Sequence, residues 1–245
     1  MSKAIRQQDK SMLRGLWVEQ LRVLSPVIVI LYLPAVIMLG IIKLQNIIPV
    51  RSLTRDPSVI AGKPFYIGAI SNIGILFWCS AVTICWLGFV VLRQLHKNRE
   101  FQRFLLSSGG FTFVLMIDDF FLIHEEVFPR YLNIPEEIVL GAYGGMLLLY
   151  LFKSIKTILK TDYILLVLAL GFFGGSVVAD NIPVLDKFMG MDAQLLVEDG
   201  LKFLGIISWF AYFARVGTEQ LKLVFLTEGQ NKQSSRVAQL ENIVS

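Results

Sequence analysis

The chain has 245 residues, of which 55% are hydrophobic and 17% are charged, and its mean hydropathy is +0.63. This composition excludes an ordinary soluble domain and is typical of a multi-pass membrane protein. The formal net charge of +4 indicates basic residues that face anionic lipid at the membrane surface, and it gives no reason to expect a nucleic-acid partner.

Six segments are long and apolar enough to cross a hydrocarbon core, which needs about 20 residues. They predict an all-α, polytopic bundle of six transmembrane helices near 24–48, 65–92, 104–128, 137–158, 163–183 and 194–216. Residues 1–23 are predicted to form a cytoplasmic amphipathic segment on the membrane surface, because a leucine stripe lies beside basic residues there. Residues 217–245 are predicted to form a polar cytoplasmic tail.

The basic residues predict the orientation of these spans. Most of them flank alternate spans, so they share one side of the membrane if the N-terminus is cytoplasmic. The positive-inside rule then predicts that both termini are cytoplasmic, in the plasma (inner) membrane of a bacterial-type cell. The acids gather toward the opposite side, which indicates a negative vestibule that opens outward.

Glycine and cysteine patterns in the spans indicate packing. Spans four and five each contain a GxxxG spacing, Gly141/Gly145 and Gly171/Gly175, which allows helix backbones to approach closely. These faces are expected to pack within the chain, in a homo-oligomer or against another membrane protein. The two cysteines, Cys79 and Cys85, lie in an apolar span and are predicted to be packing residues.

A run of acids interrupts span three. Asp118, Asp119, Glu125 and Glu126 lie within nine residues of an apolar stretch, where each unpaired carboxylate costs roughly 2.5–3.5 kcal/mol. In a continuous helix Asp118 and Glu125 share one stripe, and Asp119 and Glu126 share a second stripe nearby. His124 is expected to point away from the centre of this arc unless the helix loosens. The pattern predicts a site that faces the bundle interior.

Other polar residues are predicted to lie in the same half of the membrane. Glu198 and Lys202 are four residues apart, with the acid first, which favours an ion pair within the helix. Lys202 is also predicted to lie deeper than Glu198, at a level where it can meet Asp118 or Asp119. The predicted ligands of the site are Asp118, Asp119, His124, Glu125, Glu126, Asp180, Glu198 and Asp199. The predicted supporting residues are Ser71, Asn72, Tyr143, Ser176, Asn181 and Lys202.

Several carboxylates with one imidazole suit a divalent metal cation, and Mn²⁺, Fe²⁺, Mg²⁺, Ca²⁺ and Zn²⁺ all stay open. The same residues suit a proton relay. They also suit a structural network in which Lys202 neutralises one or two acids.

Two motifs resemble those of uncharacterised bacterial multi-pass membrane proteins. One is an acidic pair, four residues and His-Glu, here from Asp118 to Glu125, and the other is Glu198-Asp199-Gly200-Leu201-Lys202. This resemblance implies a family without an assigned activity. Ser71 with Asp118 or Asp119 is also similar to the Ser/Asp/His arrangement of ceramidase-like membrane hydrolases, which implies a metal-dependent hydrolase. The HxxxH of the last helix in that superfamily is replaced here by Glu198 and Lys202.

We therefore expect an integral membrane protein with an outward-facing site that binds a cation or a proton and serves transport or sensing. A metal-dependent hydrolase with a lipid-like substrate is the first alternative. A structural or assembly subunit of a membrane complex is the second.

Overall fold

The computed structural model describes residues 22, 24–26, 29–30, 32–180 and 191–244, and in the last segment it describes side chains from 193 to 226. Every regular element in these ranges is helical, which confirms the all-α prediction. The predicted surface segment 1–23 lies almost entirely outside the described residues. The chain divides into two units between Ile67 and Gly68.

Between residues 32 and 67, the first unit contains one apolar helix and two short ones. They are α1 (Tyr32–Leu44), α2 (Val50–Thr54) and α3 (Pro57–Ala61). Asp56 caps α3, since its carboxylate accepts hydrogen bonds from the N–H groups of Ser58 and Val59 at 2.8 and 3.3 Å. Gly62 ends α3 with φ +62°, a conformation that favours glycine.

In the described residues, the second unit contains six α-helices and one π-helical turn. The α-helices are α4 (Ala69–Gln94), α5 (Arg99–Phe121), α6 (Phe128–Leu132), α7 (Glu136–Ile158), α8 (Ile164–Asp180) and α9 (Met191–Val244). In the described part of the chain, α4, α5 and α7 are long and apolar enough to cross a membrane, whereas α1 and α8 are shorter. These helices indicate a membrane protein. By length and apolar composition, three of the described helices qualify as membrane spans, whereas the sequence predicted six. The helix α9 runs through residue 216, where we predicted the start of a polar tail.

The core of this unit forms around one tryptophan on α9. Trp209 is 1% exposed, and its ring lies 5.3 to 6.3 Å from the rings of Trp78, Phe173 and Phe213. Its indole N–H donates to the hydroxyl of Thr112 at 3.0 Å, so the buried polar atom has a partner. This cluster joins α4, α5, α8 and α9, the helices that hold most of the acidic residues discussed below.

Two glycines allow these helices to approach closely. A Cβ atom at Gly109 would lie 2.4 Å from the Trp86 ring, and one at Gly205 would lie 2.7 Å from the Phe173 ring. Neither glycine belongs to the GxxxG pairs that the sequence analysis selected. Large side chains of α4 and α8 fill the space that the missing Cβ atoms leave.

The predicted GxxxG faces make only one such contact. A Cβ atom at Gly141, Gly145 or Gly171 would meet nothing within 4 Å, while one at Gly175 would lie 3.3 Å from Leu201 on α9. Tight packing within the chain is therefore confirmed at Gly175 alone. The glycine face of α7 is open in the described residues.

Replacing Gly109 with alanine is expected to destabilise the protein by about 1–3 kcal/mol, the usual cost of overpacking. The added methyl group would lie 2.4 Å from the Trp86 ring and 3.1 Å from Cβ of Cys85, an atom fixed to its backbone. Thermal or denaturant unfolding in detergent measures the change. The matched control is Gly110→Ala, whose Cβ would meet nothing within 4 Å. Equal unfolding transitions for the two variants would contradict the packing at Gly109.

The helix α7 contacts α5 through polar side chains. The Tyr150 hydroxyl lies 2.8 Å from the Ser108 hydroxyl in the bundle interior. At the end of α7, the Thr157 hydroxyl donates to Glu100 at 2.8 Å, and Lys160, just beyond the helix, forms an ion pair with Glu100 at 2.7 Å. The two helices are therefore antiparallel neighbours, with the end of α7 beside the start of α5.

Candidate functional site

The acidic run does not form a continuous helix. The helix α5 ends at Phe121, and Leu122 adopts a left-handed conformation with φ +51°, which is uncommon for a residue other than glycine. A π-helical turn, Ile123–Val127, follows and leads into α6. Span three was predicted to reach residue 128, and this part of the prediction is wrong. The break changes the direction of every side chain after Leu122.

The break brings His124 onto Asp118. The backbone N–H of His124 donates to Oδ1 of Asp118 at 3.0 Å, and the imidazole Nδ1 contacts Oδ2 of the same carboxylate. The Tyr143 hydroxyl of α7 also donates to Oδ1, at 2.7 Å. Asp118 and His124 are 5% and 8% exposed. The expectation that His124 points away from the acids is therefore wrong, because it assumed an unbroken helix.

The second ring nitrogen of His124 faces two further carboxylates. Its Nε2 lies 3.5 Å from Glu125 and 3.9 Å from Glu136, which begins α7. We call Asp118, His124, Glu125, Glu136 and Tyr143 the imidazole cluster. The imidazole is thus enclosed by three acids, of which Asp118 is buried and the two glutamates are nearly half exposed.

Two more predicted ligands lie near this cluster. The carboxylate of Asp180, at the end of α8, interacts electrostatically with Glu136, and Glu198 on α9 interacts with Asp180 and Glu125. Neither acid is in hydrogen-bond contact with His124 among the described contacts. Four helices therefore bring acidic groups to one end of the second unit.

The pKa of His124, which lies beyond the end of the spanning helix α5, is raised above its ordinary value. Burial lowers the pKa of this imidazole, but the hydrogen bond with Asp118 and the charge of that carboxylate raise it by more. Asp118 therefore favours the protonated ring. The pair carries an exchangeable proton at a position from which Glu125 and Glu136 are within reach.

Asp119 has a different environment from Asp118. Its Oδ1 lies 2.6 Å from the ammonium of Lys202 on α9, and its Oδ2 accepts a hydrogen bond from the Trp78 indole N–H at 3.0 Å. The expected contact between Lys202 and the acidic pair is confirmed for Asp119. Among the described ion pairs Lys202 does not pair with Glu198, which interacts with it only electrostatically.

None of the remaining predicted residues has a described hydrogen bond or ion pair with Asp118 or His124. Glu126 forms an ion pair with Arg130 at 2.8 Å on the surface, since the π-helical turn directs it away from Asp118. Ser71, Asn72 and Asp199 are exposed, and Ser176 is buried within α8. Asn181 lies outside the described residues.

Two residues near this site, Glu136 and Trp78, were not predicted from the sequence, which indicates their roles only weakly. Glu136 directly follows Pro135 at the first turn of α7, a position where acids commonly stabilise a helix. Trp78 lies within an apolar span, and nothing in the local sequence predicts its hydrogen bond with an acid 41 residues away.

Among the described residues, no group of three or more His, Cys, Asp or Glu side chains is arranged to hold a metal ion. The imidazole cluster comes nearest, but its carboxylates are placed as hydrogen-bond and charge partners of one ring. The arrangement as it stands suits the binding and exchange of a proton.

The helices and this cluster together define an α-helical membrane protein with a buried aspartate–histidine pair at one end of its bundle. The chain belongs to the family described as Domain of unknown function (DUF8692), which matches residues 23–216. Comparison with curated proteins and with solved structures found no match.

Proposed function

We propose that the protein is an integral membrane protein that binds a proton, or a cation in its place, at the imidazole cluster and serves transport or sensing. The observation that supports this most is the position of the His124 ring. One nitrogen contacts the buried carboxylate of Asp118, and the other faces Glu125 and Glu136. Histidine is the side chain whose ordinary pKa lies closest to neutral pH, which makes it a common proton-binding group.

Asp118 and Asp119 have different counter-charges, which supports separate roles for the two carboxylates. Lys202 neutralises Asp119 by a direct ion pair, so this carboxylate has a permanent counter-charge. The counter-charge of Asp118 is His124, which exists only while the ring is protonated. Gain or loss of one proton therefore changes the charge of the imidazole cluster, while Asp119 keeps its direct ion pair with Lys202.

A cation in place of the proton is favoured by one further feature. A histidine that ligates a metal usually holds its other nitrogen against a carboxylate, as Asp118 holds Nδ1 here. Small shifts of Glu125 and Glu136 toward Nε2 would then complete a set of nitrogen and oxygen ligands. A hydrolase receives less support, since Nε2 faces these carboxylates and no serine or cysteine contacts it in the described residues.

The proposed topology has six spans in the plasma (inner) membrane, with both termini in the cytoplasm. The pairing of Glu100 with Lys160 supports it, because this pair joins the start of α5 to the end of α7. The basic groups at Arg93–Arg103 and at Lys153–Lys160 therefore share one side of the second unit. The imidazole cluster lies at the other ends of the same helices, consistent with an outward-facing site.

NMR titration of His124 tests the proposal. The chain has two histidines, so His96→Asn protein with labelled histidine and a histidine-free affinity tag gives one imidazole signal. We expect this ring to stay protonated above pH 6.5, its ordinary pKa. Asp118→Asn should lower the pKa of His124, because it removes the charge that favours the imidazolium. Asp180→Asn is the control, and it should have a much smaller effect.

The same sample distinguishes a proton from a cation. Broadening of the His124 signal by micromolar Mn²⁺, and its absence in Glu136→Gln, would support a bound cation. A ring that titrates at its ordinary pKa, unchanged in Asp118→Asn and insensitive to Mn²⁺, would contradict both forms of the proposal and favour a structural network.

A further inference from the structure

A second polar cavity lies at the other end of the bundle from the imidazole cluster. Its volume is about 540 Å³, and it lies where α4 ends and α5 begins. Arg93, His96 and Arg99 line it on one side, and Phe89 and Val90 provide an apolar wall. The proposed proton site uses none of these residues.

The cavity lies at a membrane surface if the helices span as their composition indicates. Both α4 and α5 are long and apolar enough to cross a membrane. The four residues that connect them, 95–98, must then lie at one face of the bilayer. A cavity at this level is open to lipid headgroups, and the apolar wall on α4 continues toward the acyl chains.

Hydrogen bonds hold the connection between the two helices in one conformation. The Gln102 amide donates to the carbonyls of Leu92 and Lys97 at 3.2 and 2.9 Å. Asn98 caps α5 through the N–H of Phe101 and also donates to Gln220 on α9 at 3.2 Å. The walls of the cavity are therefore fixed before any ligand enters, which reduces the entropy lost on binding.

The cations of this cavity are not neutralised within the described structure. No described carboxylate lies within 4.0 Å of the guanidinium group of Arg93 or Arg99. The nearest acid in sequence, Glu100, pairs instead with Lys160 at 2.7 Å. The Arg93 guanidinium lies 5.8 Å from the centre of the Phe89 ring, which holds it over the apolar wall.

We propose that this cavity binds the phosphate-bearing headgroup of an anionic phospholipid. Arg93 and Arg99 contact the phosphate, since a guanidinium forms paired hydrogen bonds with phosphate oxygens. Phe89 and Val90 contact the glycerol and the first part of an acyl chain. The occupant is a lipid rather than free phosphate, because the cavity joins a charged side to an apolar one at the bilayer surface.

Native mass spectrometry of the full chain in detergent tests this assignment. Phosphatidylglycerol and phosphatidylcholine are titrated separately into wild-type protein and into Arg93→Gln/Arg99→Gln. Each basic residue near an anionic surface contributes roughly a factor of five to affinity. We therefore expect the double variant to bind phosphatidylglycerol about 25-fold more weakly. Wild type should bind phosphatidylcholine at least roughly tenfold more weakly than phosphatidylglycerol, because phosphatidylcholine has no net negative charge to attract the two arginines.

The matched control is Arg51→Gln/Arg55→Gln, which removes the same charge from exposed positions around α2. Its affinity should stay within about twofold of wild type, because these two arginines do not line the cavity and exposed charges are screened by salt. Equal losses in the two double variants would show diffuse charge attraction and overturn the proposal. Displacement of the lipid by millimolar inorganic phosphate would show a free-phosphate site and overturn it too. If the double variant fails to fold, the single variant Arg99→Gln, expected to lose about fivefold, replaces it.

Discussion

Replacing Lys202 with methionine is expected to destabilise the protein by about 2–4 kcal/mol, because it leaves the carboxylate of Asp119 without a counter-charge. Asp119 is 11% exposed in its side chain, and the Lys202 ammonium lies 2.6 Å from it. The expected loss is smaller than for a fully buried pair, since the Lys202 side chain is 36% exposed. Denaturant unfolding in detergent measures the change.

A double variant separates the lost ion pair from the lost side chain. Lys202→Met/Asp119→Asn should recover most of the stability, because the neutral amide still accepts a hydrogen bond from Trp78 and no unpaired charge remains. Lys222→Met, an exposed position on the same helix, is the control and should change little. If Lys202→Met is as stable as Lys222→Met, the Asp119 pair does not stabilise the bundle.

The second large effect is expected at Asp118. Asp118→Ala leaves three donors without an acceptor: the His124 N–H, the His124 ring and the Tyr143 hydroxyl. Each buried donor without a partner costs about 1–3 kcal/mol, and we expect about 3–5 kcal/mol for the three, near the lower end of their sum, because Tyr143 is only partly buried. Asp180→Ala removes an exposed acid and should cost less than about 0.5 kcal/mol. Thermal and denaturant unfolding of the two variants compare these costs directly.

The effect of Asp118 also has a pH dependence. The folded state raises the pKa of His124, so the ionic part of the stabilisation is complete below about pH 6.5, the ordinary value. It declines as pH increases through the folded pKa, where the ring loses its proton. The difference between wild type and Asp118→Asn should therefore be largest in acid and smallest in alkali. A difference that does not vary with pH would contradict the charged pair.

The sequence predicts the helices well where hydrophobic composition decides the outcome. Predicted spans at 65–92 and 137–158 agree closely with Ala69–Gln94 and Glu136–Ile158. The end of α5 was missed because Leu122 is a good helix former, and nothing in its own propensity predicts the left-handed conformation that it adopts. His124 was consequently assigned to the wrong side of the helix. Local sequence carries no signal for a break that Asp118 stabilises from six residues away.

The partners within the site were predictable only in part. The depth of Lys202 predicted a contact with the acidic pair, and the structure selects Asp119. Local spacing favoured Glu198 as its partner, but a buried carboxylate gains more from a counter-charge than a partly exposed one. Glycine spacing identified Gly175 but missed Gly109, because close approach depends on which neighbouring helix presents a large side chain there.

Three polar contacts on α7 repeat at intervals of seven residues, at Tyr143, Tyr150 and Thr157. The open glycine face of α7 is as apolar as the lipid around it. The hydrophobic effect therefore gives α7 little preference for one position along α5 over another. The three hydroxyl contacts fix the position of α7 along the axis of α5 instead. Sliding α7 by one helical turn would break all three contacts at once. Loss of the contact at Tyr143 alone leaves the other two in place, so only the Tyr143 end of α7 would be released from α5, and α7 would keep its depth in the bilayer.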